Sequence, residues 1–195
     1  MTTSESITGG ISIVAIVISI IAYLQNLRIE KRQLRIEKLE EMLEITHTLM
    51  GNYEYFDDTF FLKNKLLLDK KTNDVDKEKY IKQVKELIKI SESINLQNKL
   101  TRLFVLNNSY LPKKKLKEKI GVLITIYTCI ARNTISEPFN KIKLPFNDFP
   151  KRWDFSEFTQ EIQNELIEEM DLGYKNSIDK KNTYDQEFKK RYNLK

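Results

Sequence analysis

The feature that most constrains this chain is an uncharged segment of 22 residues near its N-terminus, Ser6 to Leu27. Its centre, residues 11–24, is almost wholly aliphatic. A helix needs about 20 apolar residues to cross a hydrocarbon core of about 30 Å. A lone segment in lipid must be helical because its backbone polar groups find no water there. The sequence therefore predicts a transmembrane helix over residues 7–27, preceded by a short external N-terminus, residues 1–6.

Two other interpretations of this segment are a cleaved secretory signal peptide and a buried core helix. A signal peptide has a basic start and a small-x-small cleavage site. Residues 1–5 contain no Lys or Arg, and no A-x-A pattern follows the apolar run. A buried core helix is disfavoured because this run is apolar on all sides and lies at the very terminus of the sequence. An uncleaved anchor is therefore favoured over both.

Basic residues flank the segment on one side only. Arg28, Lys31, Arg32 and Arg35 follow it, and no basic residue precedes it. Because basic flanks stay in the cytoplasm, we expect a single-pass protein of the cell inner membrane, with its N-terminus outside. The four basic residues would then lie at the inner membrane interface. The Lys-, Asn- and Ile-rich composition is typical of an A+T-rich bacterial genome.

The rest of the sequence favours helices. The chain has 5 Gly and 4 Pro among 195 residues, too few for a turn-rich β-sandwich. No Gly or Pro interrupts residues 28–50. We predict an all-α fold in which the membrane helix continues as a rod into a cytoplasmic antiparallel helical bundle, residues 28–172. A basic C-terminal tail, residues 173–195, follows.

The rod carries a heptad pattern typical of a coiled coil. One predicted seam position holds Ile29, Ile36, Leu43 and Met50, and the other holds Arg32, Leu39, Thr46 and Tyr53. The pattern covers about three and a half heptads, near the minimum for a coiled coil. The partner is either an antiparallel helix of the same chain or a second copy. Gly51-Asn52 is expected to bend the rod. Beyond it, Tyr53, Phe56 and Phe60 form a predicted core stripe, with Phe61 beside it.

Later segments predict further helices. Asp74 or Asp76 is expected to cap a helix that carries Tyr80 and Val84, and a second piece begins near Leu96. Residues 120–131 are apolar and are predicted to form the central buried helix. A loop with Pro138, Pro145 and Pro150 beside Phe residues is expected to lie against the bundle. Asp154 is the expected cap of the final helix. Its glutamates are expected to face solvent: Glu157, Glu161, Glu165, Glu168 and Glu169.

The densest basic group in the chain opens the third helical segment. It consists of Lys113, Lys114, Lys115, Lys117 and Lys119. One interpretation is a solvated helix face, and the other is binding to anionic lipid headgroups or nucleic acid. The formal charge of +5 permits nucleic-acid binding. An acidic membrane leaflet explains the same basicity with fewer assumptions, so nucleic acid is not an expected partner.

The sequence contains no recognisable catalytic or metal-binding pattern. It has one His, His47, and one Cys, Cys129, and lacks phosphate-binding Gly loops and hydrolase or kinase signatures. We therefore expect no cofactor, no metal and no enzymatic activity. The leading hypothesis is a membrane-tethered module that binds a protein partner or a second copy of itself. The alternatives are a membrane-acting effector, as in phage defence, that oligomerises and perturbs the bilayer, and an unrecognised enzyme.

Overall fold

The computed structural model describes residues 3–68, 74–112, 114–140, 144, 146 and 148–170, with side chains from residue 15 onward except those of Leu68 and Lys114. Its elements are α1 (Thr3–Leu68), α2 (Asp74–Ser93), α3 (Leu96–Tyr110), α4 (Lys114–Ala131), a π-helical segment (Arg132–Ser136) and α5 (Arg152–Met170). The described residues contain no β-strand, and the all-α prediction is confirmed. The predicted tail, residues 173–195, lies outside the described residues.

Helix α1 is the axis of the molecule, because α2, α3, α4, the π segment and α5 all contact it. The chain returns along α1 in α2 and α3, which together form one broken arm. Lys65 near the end of α1 pairs with Asp76 at the start of α2, 4.0 Å apart. Arg102 in α3 pairs with Glu41 near the start of the packed part of α1. Both pairs show that this arm runs antiparallel to α1.

Two further arms complete an antiparallel helical bundle. Helix α4 runs along α1 in the same direction as α1. The Tyr127 hydroxyl donates to the Leu49 carbonyl oxygen, and the π segment that follows α4 lies beside Lys63. Helix α5 then descends, and its end reaches Arg35, which pairs with Glu169. The predicted bundle is confirmed. The described end of α5 lies at the level where α1 enters the bundle.

The break between α2 and α3 occurs at Asn95. Its φ of 52° and ψ of 49° lie in the left-handed region, which Asn adopts more readily than most residues because its short polar side chain can interact with the local backbone. The amide of Ile94 still bonds the Ile90 carbonyl, and that of Lys99 bonds the Asn95 carbonyl. The arm therefore changes direction within two residues.

The buried stripe of α1 differs from the predicted seam. Its members recur at steps of three and four residues: Leu39, Met42, Thr46, Leu49, Tyr53, Phe56, Phe60 and Lys63. The position containing Leu39 and Tyr53 is thus correct, but the one containing Ile36 and Met50 is wrong. Ile29 is exposed and the other three of that set are only partly buried. Helices of the same chain cover the face of α1 between these two sets of residues, in agreement with the intramolecular alternative.

Gly51 does not interrupt α1. Helix α1 continues through this residue to Leu68, and the Asn52 side chain donates to the Thr48 carbonyl oxygen one turn earlier (2.8 Å). Phe60 is buried, as predicted, whereas Phe61 faces solvent. The low helix propensity of a single glycine does not end the helix here, because both flanking stretches are good helix formers.

The prediction that residues 120–131 form the central buried helix is correct for burial but wrong for the central position. Helix α4 buries one face, with Ile120, Leu123 and Tyr127 inside, while Val122 is exposed and Ile124 is partly buried. The centre of the bundle belongs to α1.

The Pro- and Phe-containing loop lies against the bundle where it is described, as predicted. Phe149 is buried and meets Phe60 edge-on, with ring centroids 4.6 Å apart. The Tyr53 hydroxyl donates to the Pro150 carbonyl oxygen at 2.7 Å. These contacts hold the non-helical segment against α1.

The start of α5 corrects the predicted capping box. Helix α5 begins at Arg152, and the Phe155 amide already donates to the Lys151 carbonyl oxygen (2.9 Å). Asp154 therefore lies inside the first turn rather than at the cap. The prediction for the glutamates is also partly wrong, because the Glu169 side chain is only 6% exposed and pairs with α1.

The predicted membrane helix, residues 7–27, lies at the N-terminal end of α1, and the side chains of residues 7–14 are outside those described. In the part of the chain that was described, no helix is long and apolar enough to cross a membrane. The transmembrane prediction is therefore not supported by the structure.

Candidate functional site

The first candidate surface is the part of α1 that precedes the bundle, residues 15–34, which we call the projecting segment. Each of its side chains is exposed except that of Leu27, which is partly buried. At about 1.5 Å per residue the projecting segment is about 30 Å long. Its exposed apolar side chains lie on all sides of the helix: Ile16, Val17, Ile18, Ile20, Ile21, Tyr23 and Leu24. Contiguous apolar surface of this size marks a contact with lipid or protein.

The four predicted interface residues follow the apolar part of the projecting segment. Arg28, Lys31 and Arg32 are exposed. Arg35 differs, because its Nη2 donates to a carboxylate oxygen of Glu169 at 2.5 Å. Since the Glu169 side chain is almost fully buried, this ion pair fixes the end of α5 to α1. Arg35 thus marks the boundary between the projecting segment and the bundle.

The described lysines of the group at the start of α4 are not gathered into one free patch. Lys115 is exposed, and Lys117 donates to the Asn108 carbonyl oxygen at 3.2 Å. Lys119 donates to Glu161 at 2.8 Å and to Glu165 at 2.7 Å. These bonds raise the pKa of Lys119 and lower that of Glu161. Lys119 is thus paired with two glutamates of α5. The side chains of Lys113 and Lys114 lie outside the described residues.

A second candidate site, missed from the sequence, centres on Lys63. This lysine occupies the last position of the buried stripe of α1 and is only 2% exposed. Its Nζ donates to the carbonyl oxygens of Asn133 (2.6 Å) and Glu137 (2.8 Å). Burial lowers the pKa of Lys63, and the negative charge of Glu137 opposes that shift. The sequence signal was present, because Phe56, Phe60 and Lys63 continue the three-and-four spacing.

The π segment and Glu137, the residue that follows it, supply the carbonyl oxygens that accept from Lys63. The wider turn of the π segment is closed by the Glu137 amide, which donates to the Arg132 carbonyl oxygen at 3.0 Å. Asn133 and Thr134 are buried, and their side chains bond carbonyls one turn earlier. The end of a helix leaves carbonyls without intrahelical donors, and a cation is favourable there. π-Helical turns are frequent at functional sites, so this junction is a candidate functional site.

A small cleft adjoins this junction between α1, α2 and the residues that follow the π segment. Its volume is about 210 Å³, and Lys63 and Lys77 are its charged members. Its other walls are apolar or aromatic: Leu66, Leu67, Tyr80, Ile81, Pro138 and Phe139. The Tyr80 hydroxyl donates to the Pro138 carbonyl oxygen, and burial raises the pKa of Tyr80 to about 12. Tyr80 is therefore neutral at physiological pH and fixes the cleft wall.

A larger groove lies at the break between α2 and α3. Its volume is about 480 Å³. Leu96, Leu100 and Ile135 form part of its floor, Phe104 projects from α3, and Arg132 stands at its edge. The groove offers apolar surface with a cation beside it.

The single His and Cys form no reactive centre in the described chain. His47 is exposed on α1. Cys129 is partly buried, and burial raises the pKa of its thiol, which disfavours the reactive thiolate. Among the described residues, no group of three or more His, Cys, Asp or Glu side chains is arranged to hold a metal ion.

Comparison with known proteins gives no family. No protein family, no curated protein and no solved structure matches this chain. Its function is therefore inferred from its own residues and geometry.

Proposed function

We propose that this chain is a membrane-tethered helical interaction module. Residues 7–27 would insert into the cell inner membrane, and the bundle would lie in the cytoplasm and bind a protein partner or a second copy. The observation that carries the proposal is the exposed, all-round apolar surface of the projecting segment. That surface belongs to the same continuous helix as the axis of the bundle.

Burial of the exposed side chains of residues 15–24 in apolar surroundings would be favourable. Transfer of one Val, Leu or Ile side chain from water to apolar surroundings contributes about 1.5–3 kcal/mol. Seven large apolar side chains share this stretch, and none of its residues is charged. Residues 7–14 are also uncharged and would extend the surface to the length of about 20 residues that a span requires. Lipid would cover the apolar side chains on all sides of the helix, whereas a single protein groove would cover only one side.

The basic residues support the orientation. Arg28, Lys31 and Arg32 follow the apolar stretch directly and are exposed. Each would contribute about 1 kcal/mol at an anionic surface. The packed stripe begins at Leu39, 11 residues after Arg28, which corresponds to about 17 Å along a helix. The bundle would therefore stand close to the inner leaflet without entering it.

The bundle offers two features suited to a protein partner. One is the groove at the break between α2 and α3. The other is Trp153 near the start of α5, which is 83% exposed. Aromatic residues are enriched at protein interfaces, and a Trp so exposed contributes little to the fold of its own chain. The proposal assigns no catalytic step to the bundle.

The proposal is tested by placing charges in the apolar stretch of the full chain. Ile18→Lys combined with Ile21→Lys should release most of the protein from washed membranes, because each central charge costs about 2.5–3.5 kcal/mol on insertion. The matched control is Val122→Lys with Ile167→Lys, which adds the same charges at exposed positions of the bundle. The control should stay with the membranes.

Two results would overturn the proposal. One is a wild-type chain that stays in the supernatant after membranes are pelleted. The other is a double variant that remains membrane-bound with the control. Protease added outside spheroplasts should spare the bundle, and cleavage of residues 28–170 from that side would reverse the proposed orientation.

A further inference from the structure

We propose that the cleft beside Lys63 binds a small amphipathic carboxylate, a medium-chain acyl anion. Lys63 would hold the carboxylate, and the apolar wall formed by α2 and Phe139 would receive the chain. This inference concerns the far end of the bundle and does not depend on the proposed membrane tether.

The first support is the unbalanced charge of Lys63. An ammonium group has three donors, and only two are used, by the carbonyl oxygens of Asn133 and Glu137. In the described chain the third donor has no acceptor, and no carboxylate lies within ion-pairing distance of Nζ. The Glu137 carboxylate instead accepts from Arg132 at 3.1 Å. A buried cation with no carboxylate in direct contact is costly, so an incoming carboxylate gains a strong, desolvated partner.

The second support is a further cation at the same cleft. Lys77 lies in the first turn of α2 and pairs with Asp74 one turn earlier, at 3.4 Å. Both side chains of this pair are exposed, so the pair is weak and readily exchanged. Lys77 can therefore turn toward an anion at the cleft. Among the described residues, the charged groups that line the cleft are both lysines, which favours a negatively charged ligand.

The third support is the apolar wall. Leu66 and Tyr80 belong to a small core cluster separate from the main core. Phe139 is 66% exposed, although its ring meets Tyr80 edge-on, and Leu67 and Ile81 are also exposed. A bound acyl chain would cover these side chains and gain the free energy of apolar burial.

The dimensions of the cleft limit the ligand. A volume of about 210 Å³ is below the range of about 300–1,000 Å³ that is usual for drug-sized ligands. One remaining donor on Lys63 suits a single carboxylate oxygen better than a dianionic phosphate, which would leave most of its oxygens unpaired. A short acyl carboxylate meets both limits, and octanoate is the probe we choose.

The test is a calorimetric titration of octanoate into the full chain in the medium in which it is purified, whether aqueous buffer or nanodiscs of zwitterionic lipid, with the same medium without protein subtracted. Lys63→Met keeps a long, unbranched side chain and removes its charge. It should weaken octanoate binding at least tenfold. Lys65→Met is the matched control, because Lys65 is an exposed lysine of the same helix end, and it should bind like wild type. Octanol and acetate, which provide the chain and the head separately, should each bind at least tenfold more weakly than octanoate.

A second variant keeps the proposal falsifiable if Lys63→Met fails to fold. Phe139→Ala removes an exposed ring at the cleft, so the circular dichroism spectrum should not change while octanoate affinity falls. The proposal is overturned if wild type shows no octanoate binding above the medium without protein. It is also overturned if Phe139→Ala binds like wild type, if folded Lys63→Met does so, or if inorganic phosphate binds as tightly as octanoate.

Discussion

Two regions of α1 share one unbroken helix and lie in opposite environments. In the projecting segment, residues 15–34, Leu24 is 50% exposed, whereas Leu49 in the packed region, residues 39–63, is fully buried. Both regions are held in the helix by the same kind of backbone hydrogen bonds. The difference lies in the neighbours, because α3, α4 and α5 cover only the second region. Apolar character alone therefore does not decide where the core of this protein lies.

The two regions also differ in how their apolar residues are spaced. The projecting segment is apolar on all sides up to Leu24 and then becomes basic. The packed region alternates apolar and charged residues so that one stripe is buried at steps of three and four. A stripe suits a few neighbouring helices, and an all-round surface suits a medium that surrounds the helix. The comparison yields three predictions, from the largest expected effect to the smallest.

The largest effect should come from the same substitution made in each region. Leu49→Ala should lower the free energy of unfolding of the bundle by about 2–5 kcal/mol, because it opens a cavity in a packed core. Leu24→Ala should change it by less than about 0.5 kcal/mol, as expected of an exposed position. Urea unfolding followed by circular dichroism at 222 nm measures both. Equal effects would show that the projecting segment packs against the bundle.

A smaller effect is expected at the boundary between the regions. Arg35→Met should lower the free energy of unfolding by about 1–2 kcal/mol, because the nearly buried carboxylate of Glu169 loses a charged donor. The other contact of Glu169 keeps the loss moderate. Arg28→Met, seven residues earlier on the exposed part of the helix, is the control and should leave unfolding unchanged. An unaltered Arg35→Met variant would mean that the boundary lies nearer to Leu39.

The smallest effect should come from the lysines at the start of α4. Lys119→Gln removes the pairs with Glu161 and Glu165, which are partly exposed, and should cost no more than about 1 kcal/mol. Because Lys115 is exposed, Lys115→Gln should not change stability. Chemical denaturation at low and high salt separates the two, since screening weakens the Lys119 pairs. A larger loss for Lys115→Gln than for Lys119→Gln would contradict the assignment.

Two errors in the sequence interpretation have the same physical origin. The seam containing Ile36 and Met50 and the central position of α4 were both inferred from apolarity along one segment. Burial depends on which side other segments approach, and Ile36 and Met50 lie at the edge of the covered face. Lys63 was missed for the converse reason. A charged residue in a core position is favourable only when groups distant in sequence, here the carbonyls of the π segment and of Glu137, are brought to it.

The sequence by itself determined the helical class, the antiparallel bundle, the apolar N-terminal stretch with its basic flank, and the aromatic stripe through Tyr53 and Phe60. These follow from local rules, since helix propensity, the scarcity of Gly and Pro, and charge segregation act over a few turns of chain. Only the tertiary structure decided the buried face of α1, the break at Asn95, the pairing of Arg35 with α5 and the burial of Lys63. Each of these depends on contacts between residues far apart in sequence, whose energies no local pattern contains.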